Sequence, residues 1–364
     1  MNEVRPRVLH VISSIGIGGA ERHVLDLCMI QQAQNLRVCV ALPQRGALSD
    51  MLTQAGIAWV VFGRGGRLNP FTLVRLWRVI GAYRPNVIHA HMPRSISMVS
   101  RVRGAIPLIA TAHNLVKNPR PFARCDGVIC VSQQVHDSLT ALGFRADRAV
   151  VVHNAIKSSV LAPDARAATR QALGWQHELI VLCVARLVPA KGQSYAIRAM
   201  PNLLAQEPNL RLVLVGAGPD ELKLKQEAQA LGVDKQVALI GERRDVPYLL
   251  NAADIYLQPS IKEGFCIAFL EAMRAGLPCI GTRTGAIPEM LENPSLGVLI
   301  DPADSRAIES AVRHVLSAPD QAAEMAEQAS AFAAEQFSQE RQGRDTYAAY
   351  ARVIPFALTH WRDA

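Results

Sequence analysis

Glu263-Gly264-Phe265-Cys266-Ile267-Ala268-Phe269-Leu270-Glu271 follows an apolar strand-like run, Ile255-Tyr256-Leu257-Gln258-Pro259-Ser260. It opens a helix-like run that continues to Ala275 and stops at Gly276. This pattern puts Glu263 in a strand-to-helix loop and Glu271 about two turns inside the helix. The two would share one face, roughly 12 Å apart at 1.5 Å per residue. Between them lies a helix N-terminus, whose free N–H groups and partial positive charge suit a phosphate. A ligand with a hydroxyl-rich group at each end and a diphosphate between them fits that spacing, and a nucleotide-sugar is such a ligand. The plainer alternative is a surface Glu and a helix Glu without a role, because a single motif carries a false-positive risk.

The stretch from Glu263 to Gly276, followed by Leu277-Pro278-Cys279-Ile280 and Gly285-Ala286-Ile287-Pro288-Glu289, resembles the signature of the retaining glycosyltransferase family 4. That resemblance implies a GT-B fold, two α/β Rossmann-like domains facing an interdomain cleft, with a Glu-x7-Glu pair. The chain departs from the family at Cys266, where Gly usually follows the Phe. A backbone amide there can still meet a phosphate, beside a bulkier side chain.

The length of 364 residues suits two domains, and 50% hydrophobic with 19% charged residues marks a globular chain. The longest uncharged runs, such as Met51–Gly63 and Gly104–Val116, are too short to span a bilayer. The apolar run Val8–Ala20 after Arg5 and Arg7 could mimic a signal peptide, but its glycine-rich end and the amphipathic pattern beyond fit strand-loop-helix. Seven cysteines without CxxC spacing argue for a reducing cytoplasm, with neither zinc nor disulfides. Residues 1–155 hold 18 Lys and Arg against 7 Asp and Glu, and the rest 21 against 24, so the first part carries all of the +8 excess. Such a half implies an anionic partner: nucleic acid, anionic lipid or a phosphate-bearing acceptor.

Val8–Ser13 reads as a buried strand, Gly16–Glu21 as a glycine turn and Glu21–Gln31 as a helix. A dinucleotide fingerprint starting at Gly16 would need glycine where Glu21 stands, and the second strand, Arg37–Leu42, ends in Pro43-Gln44 rather than an acidic residue. Ile57–Phe62 follows as a strand. Pro70–Tyr83 is a basic amphipathic helix, with Phe71, Leu76 and Trp77 beside Arg75 and Arg78. It reads either as a core-packing helix or as an interfacial one. Asn86–His91 is a strand whose His89 and His91 share one side. A metal pair there has no obvious third ligand, so no metal is expected. Pro107–Thr111 leads to His113, and Gly127–Val131 to Ser132 as a helix N-cap. Ala149–Val152 precedes Asn154-Ala155, and residues 157–177 form a linker with a short helix. In the second half, Leu179–Ala185 is followed by Arg186-Leu187-Val188-Pro189-Ala190-Lys191-Gly192 and a helix from Gln193 to about Leu204. Two cations in one strand-to-helix loop suit a diphosphate. Leu210–Val215 ends at Gly216, and Val237–Ile240 at the loop of Arg243 and Asp245. From Ser338 a last helix places Tyr347, Tyr350 and Val353 for a buried face.

The resemblance implies domains at 1–160 and 175–344, with a C-terminal helix, about 345–364, packing back on the first. It implies a retaining hexosyl transfer from a UDP- or GDP-sugar to a lipid-linked or cell-surface glycan acceptor, as in bacterial polysaccharide or glycolipid synthesis. No cofactor or metal is expected, and no Asp-x-Asp occurs in the chain. His113 and Glu263 would be catalytic. Gly18, Gly19, Arg186, Lys191, Gly216, Arg243, Asp245, Cys266, Ile267 and Glu271 would bind the donor. The expected place is the cytoplasm, peripheral on the inner membrane face, where further Arg at positions 94, 101, 103, 120 and 124 join the basic helix. The alternatives are a GT-B nucleotide-sugar epimerase, a Rossmann oxidoreductase disfavoured by the broken fingerprint, and a nucleic-acid binder. The last lacks the interleaved aromatic platforms that single strands need.

Overall fold

The computed structural model describes residues 5–14, 16, 18–66, 68–157 and 161–354. These divide into two compact units: the described residues of Met1–Ala155 with those of Gln339–Ala364, and the described residues of Ile156–Ser338.

The first unit carries β1 (Arg7–Ile12), β2 (Arg37–Leu42), β3 (Ala58–Val61), β4 (Val87–His91), β5 (Leu108–Ala112), β6 (Gly127–Cys130) and β7 (Ala149–Val151). All pairs are parallel, in the order β3-β2-β1-β4-β5-β6-β7. Parallel strands covered on both faces need near-continuous apolar sequence, which β1 and β2 supply. The order reverses between β1 and β4, so the loops leaving these strands diverge at their carboxyl ends, the place where such sheets bind ligands. Register there sets His10 beside His89, Ile12 beside His91, and His91 beside Thr111. The last helix, Gln339–Val353, brings Ala349 and Tyr350 into the core with Val24, Val38 and Ile109. It starts earlier than the expected segment 345–364, of which residues 355–364 lie outside the described residues.

The second unit carries β8 (Leu179–Val184), β9 (Leu210–Val215), β10 (Val237–Leu239), β11 (Ile255–Gln258), β12 (Cys279–Thr282) and β13 (Val298–Ile300). These are parallel in the order β10-β9-β8-β11-β12-β13, which reverses between β8 and β11. Helices Gln193–Leu204 and Ser305–Ser317 close one face over Val181, Leu212 and Ile255.

Two expectations are corrected. The loop after β11 ends at Cys266, whose backbone is left-handed, φ 75° and ψ 75°, and the helix begins at Ile267. Glu271 is therefore little more than one turn into the helix Ile267–Arg274, and the path from Glu263 to Cys266 is loop. In the helix Pro70–Tyr83 the inward residues are Thr72, Leu76 and Ile80, so Leu76 belongs to the core and not to a surface patch.

Candidate functional site

The loops after β8 and β11 meet where the strand order of the second unit reverses. The first runs from Arg186 to Gly192 and contains a 3-10 turn, Pro189–Lys191. Gly192 sits at φ +69° with its Cα against the end of β11, where a Cβ would lie 1.9 Å from the Pro259 carbonyl oxygen. Only glycine tolerates both conditions. The N–H groups of Ile261 and Lys262 donate to the Ala190 carbonyl at 2.8 and 3.1 Å, which ties the two loops together.

Across this join Lys191 Nζ donates to Glu263 Oε1 at 2.5 Å. Glu263 is 6% exposed, and the same oxygen accepts from Ser260 Oγ at 2.7 Å. Its backbone N–H donates to Thr284 Oγ1 at 3.2 Å. Behind Ser260, Gln258 Nε2 donates to Ser260 Oγ at 2.7 Å and Tyr256 Oη to Gln258 Oε1 at 2.8 Å. A carboxylate taken out of water costs several kcal/mol and persists only with such partners. Burial works against the charge on Lys191, but the carboxylate of Glu263 outweighs it and holds the ammonium above its ordinary value. A raised pKa on a cation means that the pair's stabilisation is complete below the ordinary lysine range and fades only as pH climbs through the raised value. The pair is thus intact across neutral pH.

Beside it, the N–H groups of Phe269 and Leu270 make the first backward helical bonds, both to the Cys266 carbonyl, at 3.2 and 3.4 Å. The amides of Cys266 and Ile267 precede them at the helix start. Holding a residue with a Cβ in the left-handed region costs on the order of 1 kcal/mol, and glycine, the usual residue of the resembled family here, adopts it freely. Burial pushes the Cys266 thiol well above its ordinary pKa, which keeps it protonated. Gly285, at φ +61°, packs so closely that a Cβ would lie 2.6 Å from Glu263 Cβ.

The other expected donor residues fall around these loops. Arg186 is exposed, with its carbonyl accepting from Gln193 Nε2 at 2.9 Å. Gly216, at φ +135°, lies where a Cβ would come 2.1 Å from the Ala185 carbonyl oxygen, and its N–H already donates to the Gly241 carbonyl at 2.8 Å. Its glycine therefore serves loop packing rather than amide donation. Arg243 and Asp245 pair with each other at 2.8 and 2.6 Å. Glu271 is half-buried on the helix.

In the first unit, Gly18 caps and Gly19 opens the helix Gly19–Ala33. Five histidines converge from β1 (His10), the helix Gly19–Ala33 (His23), β4 (His89 and His91) and the loop after β5 (His113), with neighbouring rings 4.3 to 5.7 Å apart. The expectation that His89 and His91 lack a third imidazole nearby fails, because β1 pairs with β4 and delivers His10 beside them. Two trios, His10-His89-His91 and His23-His91-His113, are close enough to consider a cation. In the first, both His89 nitrogens are occupied, by Tyr350 Oη at 2.8 Å and Thr111 Oγ1 at 2.6 Å. In the second, Gln342 accepts the Ala155 N–H through Oε1 and so turns its Nε2 toward His23 Nδ1 at 3.4 Å, which leaves the His23 proton on Nε2. Neither trio offers three lone pairs. Burial lowers the pKa of His10 and His23 to about 4 and holds His89, His91 and His113 well below their ordinary value, so all five are neutral at pH 7. Thr111 and His113 open onto a cavity of about 710 Å³ walled by Met92, Pro93, Leu115, Val116 and Phe122, with Arg94 and Lys117 at its edge.

Comparison with known proteins sorts these observations. Residues 17–160 match Glycosyltransferase Family 4, and residues 165–332 match Glycosyl transferases group 1. The D-inositol 3-phosphate glycosyltransferase of Corynebacterium efficiens is 30% identical over 316 residues, 76% of this chain and 71% of that protein. The chain belongs to glycosyltransferase family 4. Another relative, the GDP-mannose-dependent alpha-(1-6)-phosphatidylinositol monomannoside mannosyltransferase of Mycolicibacterium smegmatis, is 36% identical over 172 residues. There the match spans 45% of each chain, so less than half of the relative's length. Among solved structures, Anabaena HepE in complex with UDP and glucose superposes with a TM-score of 0.87 at 24% identity, covering 95% of this chain and 100% of that one. The likeness establishes the GT-B fold of this family 4 member. Among the described residues no helix is long and apolar enough to cross a membrane.

Proposed function

We propose that this chain is a retaining hexosyltransferase that moves a sugar from a UDP- or GDP-sugar to a lipid-linked or cell-surface glycan acceptor without a metal or other cofactor. The observation that carries the reading is the Lys191–Glu263 pair beside the helix start at Ile267, in the strand-order reversal of the second unit. A cation held by a carboxylate is a site waiting for a diphosphate. The incoming phosphate oxygens offer Lys191 a second anionic partner, while Glu263 keeps an oxygen for sugar hydroxyls. Arg186 and the amides at Cys266 and Ile267 complete the charge complement for the departing nucleoside diphosphate, where electrostatic stabilisation matters most. Glu271 takes the ribose hydroxyls, the Arg243–Asp245 loop the nucleobase, and His113 with the Gly18-Gly19 loop the sugar side. The relatives named for mannosyl transfer and HepE with its UDP support a nucleotide-sugar over a dinucleotide.

The test is a panel of nucleotide-sugars scored by thermal unfolding. A ligand at a hundred times its Kd stabilises by about 2.7 kcal/mol, which raises Tm by several degrees. A UDP- or GDP-hexose is expected to do this and nicotinamide dinucleotides are not. Turnover of the donor to a second nucleotide-sugar without acceptor would replace the reading by epimerisation.

For the acceptor, the first unit's cavity joins an apolar wall to Arg94 and Lys117, which suits an acyl or polyprenyl chain bearing phosphate. The surface nearby supports docking to an anionic membrane. Phe71 is 78% and Trp77 60% exposed, with Leu68 and Val74 beside them and Arg75 and Arg78 interleaved. Arg120 and Arg124 are exposed as well. By contrast Arg103 is paired to Asp126, and Arg94 and Arg101 bond to the carbonyls of Gly65 and Ser97, so these contribute less than the sequence suggests. Each free cation near an anionic surface is worth on the order of 1 kcal/mol. Co-sedimentation with vesicles is expected to rise with anionic lipid, fall with salt, and weaken in Arg75→Glu/Arg78→Glu. Equal recovery in the supernatant with neutral and anionic vesicles at low salt would leave a soluble phosphorylated acceptor as the partner.

A further inference from the structure

The buried polar groups of the first unit form one continuous chain of hydrogen bonds that the transfer reaction does not by itself require. Gln31, 1% exposed, stands at its middle. Its Oε1 faces His10 Nε2 at 2.7 Å, and its Nε2 donates to Tyr350 Oη at 2.8 Å. His10 Nδ1 meets His91 Nε2 at 3.0 Å, and His91 Nδ1 meets His113 Nε2 at 3.2 Å. On the other arm Tyr350 Oη meets His89 Nδ1 and His89 Nε2 meets Thr111 Oγ1.

A neutral imidazole has one donor nitrogen and one acceptor, so the chain has only two self-consistent directions. The carboxamide of Gln31 selects between them. Its oxygen can only accept, which puts the His10 proton on Nε2 and leaves Nδ1 a lone pair. His91 must then donate from Nε2 and accept at Nδ1, and His113 must donate from Nε2. On the second arm the Gln31 amide N–H occupies the Tyr350 oxygen, so the phenol proton goes to His89 Nδ1 and His89 donates from Nε2 to Thr111. All donors run one way, from His113 through Gln31 to Thr111. Both ends line the same cavity.

We propose that Gln31 is a positioning residue that fixes His113 as the Nε2–H tautomer, so that the nitrogen left over, Nδ1, accepts a hydrogen bond from a substrate hydroxyl. The second half rests on the reading of His113 as a sugar-contacting residue; the tautomer relay does not. The chemical consequence is selectivity at that point. A lone pair receives a hydroxyl and repels a phosphate oxygen, so a sugar or alcohol group belongs against His113 and the anionic part of a substrate belongs elsewhere. Burial keeps the four relay imidazoles neutral, so the polarity is set by hydrogen bonding and not by charge.

The test uses the full chain labelled with 15N in histidine, in which long-range proton–nitrogen correlations separate Nδ1–H from Nε2–H rings. Without any ligand, His10, His89, His91 and His113 are expected as Nε2–H. Gln31→Met removes the acceptor for His10, and a buried N–H without a partner is unfavourable. The arm should reverse, with His10, His91 and His113 becoming Nδ1–H while His89 stays. Gln31→Glu separates the arms differently. Its carboxylate still accepts from His10 but also takes the Tyr350 proton, so His89 alone should switch to Nδ1–H. If Gln31→Met does not fold, the His89 switch in Gln31→Glu decides the Tyr350 arm and the wild-type tautomers of His10, His91 and His113 decide the other. Turnover is expected to fall about tenfold in Gln31→Met, the worth of one hydrogen bond, at nearly constant donor KM, and to recover in Gln31→Glu. His113 found as Nδ1–H in the wild type, or histidines unmoved by either variant, overturns the relay. A switched His113 with unchanged kcat overturns its hydroxyl contact and leaves the donor site of the second unit untouched.

Discussion

Replacing Glu263 by alanine is expected to lower kcat by roughly 10- to 100-fold with little change in donor KM, and Glu271→Ala to do the opposite. A hydrogen bond to a charged group is worth about 1.5–3 kcal/mol, and the two differ in when that bond acts. Glu271 would hold a ribose that is the same in ground and transition states, so its loss is uniform and appears in KM. Glu263 would hold the sugar as it becomes cationic, so its loss falls on the transition state. The structure adds a second effect for Glu263. Its removal strands Lys191 and Ser260, whose partner oxygen it provides, so thermal stability should fall as well. Glu263→Gln keeps an acceptor oxygen and the volume, and should recover stability more than turnover. Steady-state kinetics and unfolding on the same preparations separate the two. Full kcat with only a raised KM in Glu263→Ala would show that the roles are misassigned.

Much of the fold was legible because parallel strands and their covering helices impose strong local patterns. Strands Arg37–Leu42 and Leu210–Val215 and helices Pro70–Tyr83 and Gln193–Leu204 have the same bounds in sequence and structure. That Glu271 lies one turn rather than two inside its helix was hidden because Gly-Phe-Cys-Ile-Ala-Phe is as apolar as a helix and nothing in its composition announces a left-handed Cys266. The misplacing of Leu76 had a readable remedy. A period of 3.6 puts residues 72, 76 and 80 on one face and 71, 74 and 78 on another, so Leu76 cannot share a surface with Phe71.

The site was legible as residue types and not as partners. Lys191 and Glu263 each drew a separate ligand role, and nothing in the chain says that 72 residues apart they bond to each other. That follows from the reversal of strand order between β8 and β11, which sequence patterns do not encode. The histidine relay was hidden for the same reason. Register pairs His10 with His89, and Tyr350 arrives from a helix 261 residues later. The available signal was a histidine in the first strand together with the His-x-His of the fourth, both near carboxyl ends of a parallel sheet.

The largest effect is expected from Lys191→Met. It should abolish most turnover and also cost about 3–5 kcal/mol of stability, because it leaves a buried carboxylate uncompensated. Glu263, only 6% exposed, gains little solvation from water in exchange. The double variant Lys191→Met/Glu263→Gln removes the orphan charge and should regain most of the stability while staying inactive, since replacing both partners of a buried pair is often nearly neutral. Arg186→Ala should lose turnover without this penalty, because Arg186 is exposed. Urea unfolding reads the stability and initial rates read the turnover. If the two cations carry the leaving diphosphate, EDTA leaves the wild-type rate unchanged, whereas a rate lost to EDTA and restored by Mg²⁺ would move that task to a metal ion. In that case Lys191→Met would still lower stability, since the penalty depends only on the pair with Glu263. The two measurements therefore separate what Lys191 does for the fold from what it does for the donor.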